Sequence, residues 1–175
     1  EPATQLVSGE TKPEHIAAGD GIVVFTSQNY TANSQVRRCT LPDCAGGPVA
    51  LAPNMKTADD LVIAGGKIYI SAYDIAGVFE CAVTGCAGPN GDAIRRSSTP
   101  GPTGLAVRGG GIYFASGNWG GTPPYLISKA LVADSSSATA ILTDTAQPKA
   151  LAANDTEVFW HRPGELLRCA IGGCV

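Results

Sequence analysis

An all-β chain folded as a four-bladed β-propeller is predicted from three observations. The first is a repeat. Ile16-Ala17-Ala18-Gly19…Ile22-Val23-Val24-Phe25 recurs as Leu61-Val62-Ile63-Ala64…Ile68-Tyr69-Ile70, as Leu105-Ala106-Val107…Ile112-Tyr113-Phe114 and as Leu151-Ala152-Ala153…Val158-Phe159-Trp160. The lead residues 16, 61, 105 and 151 are spaced 45, 44 and 46 apart, the period of propeller blades. The second is the turn-forming residues, mostly glycine, that punctuate the apolar runs. The third is the phase in which the repeats begin and end.

Each repeat divides into four strand-like pieces. In the second, strand A is 61–64, strand B 68–71, strand C 78–83 and strand D 93–96. The A–B links read Gly19-Asp20-Gly21, Gly65-Gly66-Lys67, Gly109-Gly110-Gly111 and Asn154-Asp155-Thr156. These residues tolerate the positive φ that two-residue hairpins require. No apolar run has a 3.6-residue period with caps, so no helix is expected. Gly109-Gly110-Gly111 is not a phosphate loop, because no helix start and no Lys-Ser/Thr follows it.

The last repeat stops after strand C, at Leu166-Leu167-Arg168-Cys169…Cys174-Val175. A spare strand-like piece, Thr4-Gln5-Leu6-Val7-Ser8, precedes the first, and Leu6 stands ten residues before Ile16 as Leu51 does before Leu61. Residues 3–9 are therefore expected to be the outer strand of blade 4, closing the ring and removing an open edge. Residues 1–175 then form a single propeller domain.

Composition agrees with many short strands: 22 glycines, 12 prolines, 15% charged and 44% apolar residues. No apolar stretch reaches the roughly 18–20 residues of a membrane span. The chain opens at Glu1-Pro2-Ala3, so any export leader is expected to have been removed already or to lie outside this sequence. A net charge of −3 without a basic stripe disfavours nucleic acid. Two histidines and one methionine leave little scope for metal or redox chemistry, and no metal or cofactor is expected.

Six cysteines fall as Cys39/Cys44, Cys81/Cys86 and Cys169/Cys174, each pair bracketing four turn-forming residues after strand C. Cysteines at the two shoulders of such a turn can meet disulfide distances. Zinc and free thiols are the alternatives, but zinc needs four ligands and these pairs belong to different blades. Aligned on Leu126-Ile127-Ser128, the third repeat places Lys129 and Asp134 at the cysteine positions. Disulfides imply an oxidising compartment, hence a secreted, cell-surface or periplasmic protein.

Leu-Ala-Val-x-Gly-Gly-x-Ile-Tyr-Phe, followed by Val-x-x-Cys-x4-Cys and a proline-rich link, resembles the repeat proteins exported by myxobacteria and related predatory bacteria. The resemblance covers almost the whole chain, and Cys-x4-Cys is its most specific part. It implies an exported propeller with a lectin-like, scaffold or sensor role and no catalytic residues to carry over. Such proteins commonly have more than four repeats, which leaves open whether this chain is whole or a segment.

Variable loops on a rigid scaffold are where binding resides. The B–C links, 27–35, 72–77, 116–124 and 161–165, differ in every repeat and share one face with the D–A links. They carry Asn29, Tyr30, Tyr73, Asp74, Asn118, Trp119, His161 and Arg162, rings beside amides and charged groups that suit sugar or peptide contact. His15 and Asp60 precede strands A of blades 1 and 2 and are expected to flank the channel mouth. Asn29-Tyr30-Thr31 and Asn154-Asp155-Thr156 match the short N-glycosylation pattern without further support. No Gly-x-Ser-x-Gly or His-Glu-x-x-His is present, and no cysteine stands outside the pairs. The expected function is a non-catalytic recognition module for a glycan or protein ligand, monomeric in the first instance. The rivals are a self-assembling subunit of a surface layer or filament, and a carbohydrate-active hydrolase or lyase using carboxylates such as Asp60 and Asp74.

Overall fold

The computed structural model describes residues 3–27, 35–52, 55, 57–73, 75–86, 92–96 (backbone), 101–117, 123–133 and 138–174. They form fifteen strands and no helix. Blade 1 comprises β1 (Pro13–Gly19), β2 (Ile22–Ser27), β3 (Gln35–Thr40) and β4 (Val49–Ala52). Blade 2 comprises β5 (Ala58–Ala64), β6 (Lys67–Ala72), β7 (Gly77–Ala82) and β8 (Asp92–Arg96). Blade 3 comprises β9 (Pro102–Arg108), β10 (Gly111–Ser116), β11 (Tyr125–Leu131) and β12 (Ala138–Asp144). Blade 4 comprises β13 (Ala150–Ala153), β14 (Glu157–Arg162) and β15 (Glu165–Ala170). Every blade is an antiparallel meander in chain order.

The first three A–B turns are two-residue hairpins. Asp20 and Gly21 (φ 51° and 74°), Gly65 and Gly66 (59° and 74°), and Gly109 and Gly110 (55° and 73°) all lie in the left-handed region. That geometry matches the twist of the flanking strands and favours glycine. The fourth turn departs from this expectation. It also has two residues between its last paired positions, the Asn154 amide donating to the Glu157 carbonyl (3.0 Å), but neither lies in the left-handed region. Asn154 Oδ1 closes it by accepting from the amides of Thr156 (2.9 Å) and Glu157 (2.7 Å). An asparagine side chain here replaces backbone freedom.

Strand B of blades 2 and 3 is apolar without alternation because both of its faces are buried, each against a different blade. The register separates the two faces. Ile16, Leu61, Leu105 and Leu151 pair with Phe25, Ile70, Phe114 and Trp160. In blades 2, 3 and 4 these residues face the preceding blade, and in blade 1 they lie on the outer face that no blade covers. The residues one before those partners, Val24, Tyr69 and Tyr113, face the following blade, and Phe159 lies on the equivalent, outward face of blade 4. Three cores result. One joins Val24 and Val36 to Leu61, Ile68 and Ile70. A second joins Tyr69 and Val78 to Leu105, Ile112 and Phe114. The third joins Tyr113 and Ile127 to Val158 and Trp160.

Polar stitches repeat at the same interval. Asp20 Oδ2 accepts from the Gly66 amide (3.1 Å), Asp60 Oδ2 from the Leu105 amide (3.0 Å), and Arg108 Nε donates to Asp155 (2.8 Å). Arg38 donates to the Val83 carbonyl, and Thr103 Oγ1 to that of Pro148.

The expected ring closure by residues 3–9 is not what the chain adopts. These residues form no strand, and the fourth sheet has three strands. β1 packs beside β5, β5 beside β9 and β9 beside β13, with no comparable packing between β13 and β1. Residues 4–7 instead line a cleft with Ile16, Val23, Phe25 and Cys39 on the outer face of blade 1. Glu10 pairs with Arg37 there, and the Thr11 carbonyl accepts from Ser27 Oγ. An apolar face and the Arg37 guanidinium of blade 1 hold the segment locally, while the β15 edge lies at the other end of the row of blades.

Three disulfides, Cys39–Cys44, Cys81–Cys86 and Cys169–Cys174, join cysteines whose Cα atoms are 5.0, 4.5 and 5.3 Å apart. Blade 3 requires a correction. Cys39, Cys81 and Cys169 pair with Val23, Ile68 and Val158, and the equivalent Ile112 pairs with Ala130. Ala130, not Lys129, therefore occupies the cysteine position. Lys129 lies on the other face of β11, its Nζ 5.6 Å from the centroid of the Tyr113 ring; Asp134 lies outside the described residues.

Candidate functional site

The starts of the four A strands come together at the end of the molecule carrying the D–A and B–C links. They border an open cleft of about 710 Å³. Glu14 and His15 enter from β1, Asp59 and Asp60 from β5, and Lys149 from the link before β13. Tyr73 enters from the B–C loop of blade 2. Three carboxylates thus face an imidazole, an ammonium and a phenol ring.

Asp60 is the most constrained of these groups. Burial pushes its carboxyl above the usual range, which the amides of Leu61 and Leu105 and the nearby His15 only partly offset. Those amides lie 2.8 and 3.0 Å from its oxygens. The carboxylate therefore locks blade 2 to blade 3 while lining the cleft. Tyr73 is fixed through its backbone: its amide donates to the Thr57 carbonyl (3.1 Å). A β-carbon at Gly101 would stand 2.2 Å from Tyr73 Cα, so only glycine lets the two chains approach so closely. His15 is placed by its own amide, which donates to Thr26 Oγ1 (3.1 Å). A ring and several charged groups on fixed strand ends can orient a hydroxyl- or amide-bearing ligand.

Of the residues singled out in the sequence, the structure brings Tyr73, His15 and Asp60 to this one cleft. His161 is exposed on β14, and its carbonyl accepts from the Lys149 amide (3.1 Å). Arg162 is engaged by Asp144 and Glu165. Asn29, Tyr30, Asp74, Asn118 and Trp119 lie outside the described residues. Among the described residues, no three His, Cys, Asp or Glu side chains are grouped to hold a metal ion. No helix there is long and apolar enough to cross a membrane.

Glu14, Asp59 and Lys149 were missed by sequence reasoning. They stand within two residues of the lead positions 16, 61 and 151, so comparing the repeats two places upstream, rather than one, reaches them.

No protein-family model matches the chain, and no curated protein matches it in sequence. Solved structures do match. The chain is similar to a chain of a nidogen/laminin complex, with 9% identity and a TM-score of 0.76, over 97% of this chain and 64% of that one. It is similar to the PQQ-bound aldose sugar dehydrogenase of Streptomyces coelicolor, with 12% identity and a TM-score of 0.69, over 95% of this chain and 65% of that one. It is also similar to the computationally designed Ika4 protein, with 14% identity and a TM-score of 0.69, over 98% of this chain and all of that one. This is a propeller-type fold. At such identities the likeness carries the architecture alone, and this chain spans just under two thirds of the first two proteins.

Proposed function

We propose that the chain is a non-catalytic recognition module of an exported bacterial protein of the Cys-x4-Cys propeller-repeat kind, binding a glycan or protein ligand at the D–A/B–C end. The observation that carries this reading is the cleft where Tyr73, from a B–C loop, meets the charged starts of the A strands. The lining comes from all four blades, Glu14 and His15 from the first, Asp59, Asp60 and Tyr73 from the second, Thr103 from the third and Lys149 from the link into the fourth, so a ligand in the cleft bridges the row. The disulfides support an oxidising location. A glycan and peptide array with the intact protein tests the reading. Tyr73→Ala and Lys149→Ala should each weaken a specific signal about tenfold or more, the effect of losing roughly 1.5–3 kcal/mol of contact. Binding untouched by either change would exclude this cleft. Turnover of any arrayed sugar would replace recognition with catalysis.

A further inference from the structure

The blade register exposes two surfaces that are halves of an interface the chain already makes three times. Position 36 in blade 1 is equivalent to 78 in blade 2, 127 in blade 3 and 166 in blade 4, judged from their partners Thr26, Ser71, Ala115 and His161. Val36, Val78 and Ile127 are buried against the following blade, whereas Leu166 is 79% exposed. Phe159, equivalent to the buried Val24, Tyr69 and Tyr113, is only partly covered. At the other end, Ile16 is 73% exposed, although its equivalents Leu61 and Leu105 are buried against the preceding blade. Blade 4 thus offers the face that blades 1, 2 and 3 bury forward, and blade 1 offers the face that blades 2, 3 and 4 bury backward.

We propose that these halves meet between two copies of this chain, blade 4 of each packing on blade 1 of the other to close one eight-bladed ring. The occupant is a second copy because the missing partner of each face is the kind of face the same chain carries at its opposite end. The contact continues the interface that joins blades 1 to 4. Such a head-to-tail contact propagates unless the rotation closes. Two copies reach eight blades, the upper end of the usual propeller range, and three exceed it. Blade 4 also has a free strand edge, since among the described residues β15 pairs only with β14. Residues 3–9 carry the spacing of an outer strand but form none. In the ring they leave the face of blade 1 and pair with β15 of the second copy, uncovering the surface that blade 4 needs.

Sedimentation velocity of the native protein should show a species of twice the 17.8 kDa chain. Leu166→Glu and Ile16→Glu should each weaken association at least about tenfold. Far-UV circular dichroism should stay unchanged, because both side chains are exposed in the single chain. An equimolar mixture of the two variants should recover the dimer at a concentration where neither alone associates, since one of its two interfaces is then wild type. Deleting residues 3–9 should also weaken it. A monomer at every concentration overturns the proposal, as does a dimer sensitive to Leu166→Glu but not to Ile16→Glu. Polymers larger than two overturn the closed ring.

Discussion

Asp144 and Asp60 are both aspartates at the edge of a propeller strand, yet their surroundings push their carboxyls in opposite directions. Burial raises Asp144, but the Ala146 amide, the Trp160 indole (Nε1 3.1 Å from Oδ2) and Arg162 outweigh it, and the group titrates below the usual range. Its contribution is therefore present above the unfolded value of about 3.9 and lost as pH falls through the lower native one. Asp144→Asn should cost about 2–3 kcal/mol in urea unfolding at neutral pH, and the difference should shrink toward pH 3. Asp60 has the reverse sign. Its native carboxyl titrates above the unfolded value, so its stabilisation is complete in acid and declines as pH rises through the native pKa. Asp60→Asn should gain on the wild type between about pH 4 and neutrality; a constant difference across that range would mean that burial does not govern this group. Asp60 could be marked in the sequence because it precedes a lead residue. Asp144 could not: its partner Trp160 reads only as one more apolar residue of strand B, and the pairing spans two blades.

At the level of strands and turns, repetition made most of the chain legible. Fifteen strands stand where four-part repeats placed them, apart from the outer strand expected of residues 3–9. Blade 3 shows the limit. Without a cysteine as anchor, aligning on Leu126-Ile127-Ser128 shifted strand C by one residue, and a one-residue slip exchanges the two faces of a strand. Lys129 was thereby set at a staple, whereas the register gives that place to Ala130. The staples themselves should act locally. Replacing Cys169 and Cys174 together by serine should lower stability by roughly 2 kcal/mol on the chain-entropy account, with other disulfides intact in peptide maps. At the fourth A–B turn, Asn154→Ala removes acceptors for two amides and should cost about 1 kcal/mol by thermal unfolding. Gly101→Ala should displace the loop carrying Tyr73, read as a changed Tyr73 environment by NMR without loss of the strands.

Across the whole molecule, each blade owes its burial to its immediate neighbours. Blades 2 and 3 are covered on both faces by other blades, and blades 1 and 4 on one face each. In a row held by nearest-neighbour terms, stability is approximately a sum over units and interfaces. Amide exchange on the monomer should therefore be slowest in β6 and β10 and faster in β14, and equal rates throughout would contradict this. The Arg108–Asp155 pair between blades 3 and 4 is solvent-exposed on both sides, so Arg108→Ala should change stability by no more than about 1 kcal/mol. The cleft was only partly legible for a similar reason. Its residues come from four separate repeats, and only the assembled row shows that Glu14, Asp59 and Lys149 stand around Tyr73.

The interval of the stitches bears on how such a chain can be made. Asp20 waits for Gly66, Asp60 for Leu105 and Arg108 for Asp155, and no core between blades needs a residue from beyond the next repeat. A polypeptide delivered from one end, whether from a ribosome or through a narrow pore, can settle each blade as its successor arrives. It never has to hold a large sticky surface open while a distant segment is still missing, the condition under which long-range β-pairing becomes slow and prone to aggregate.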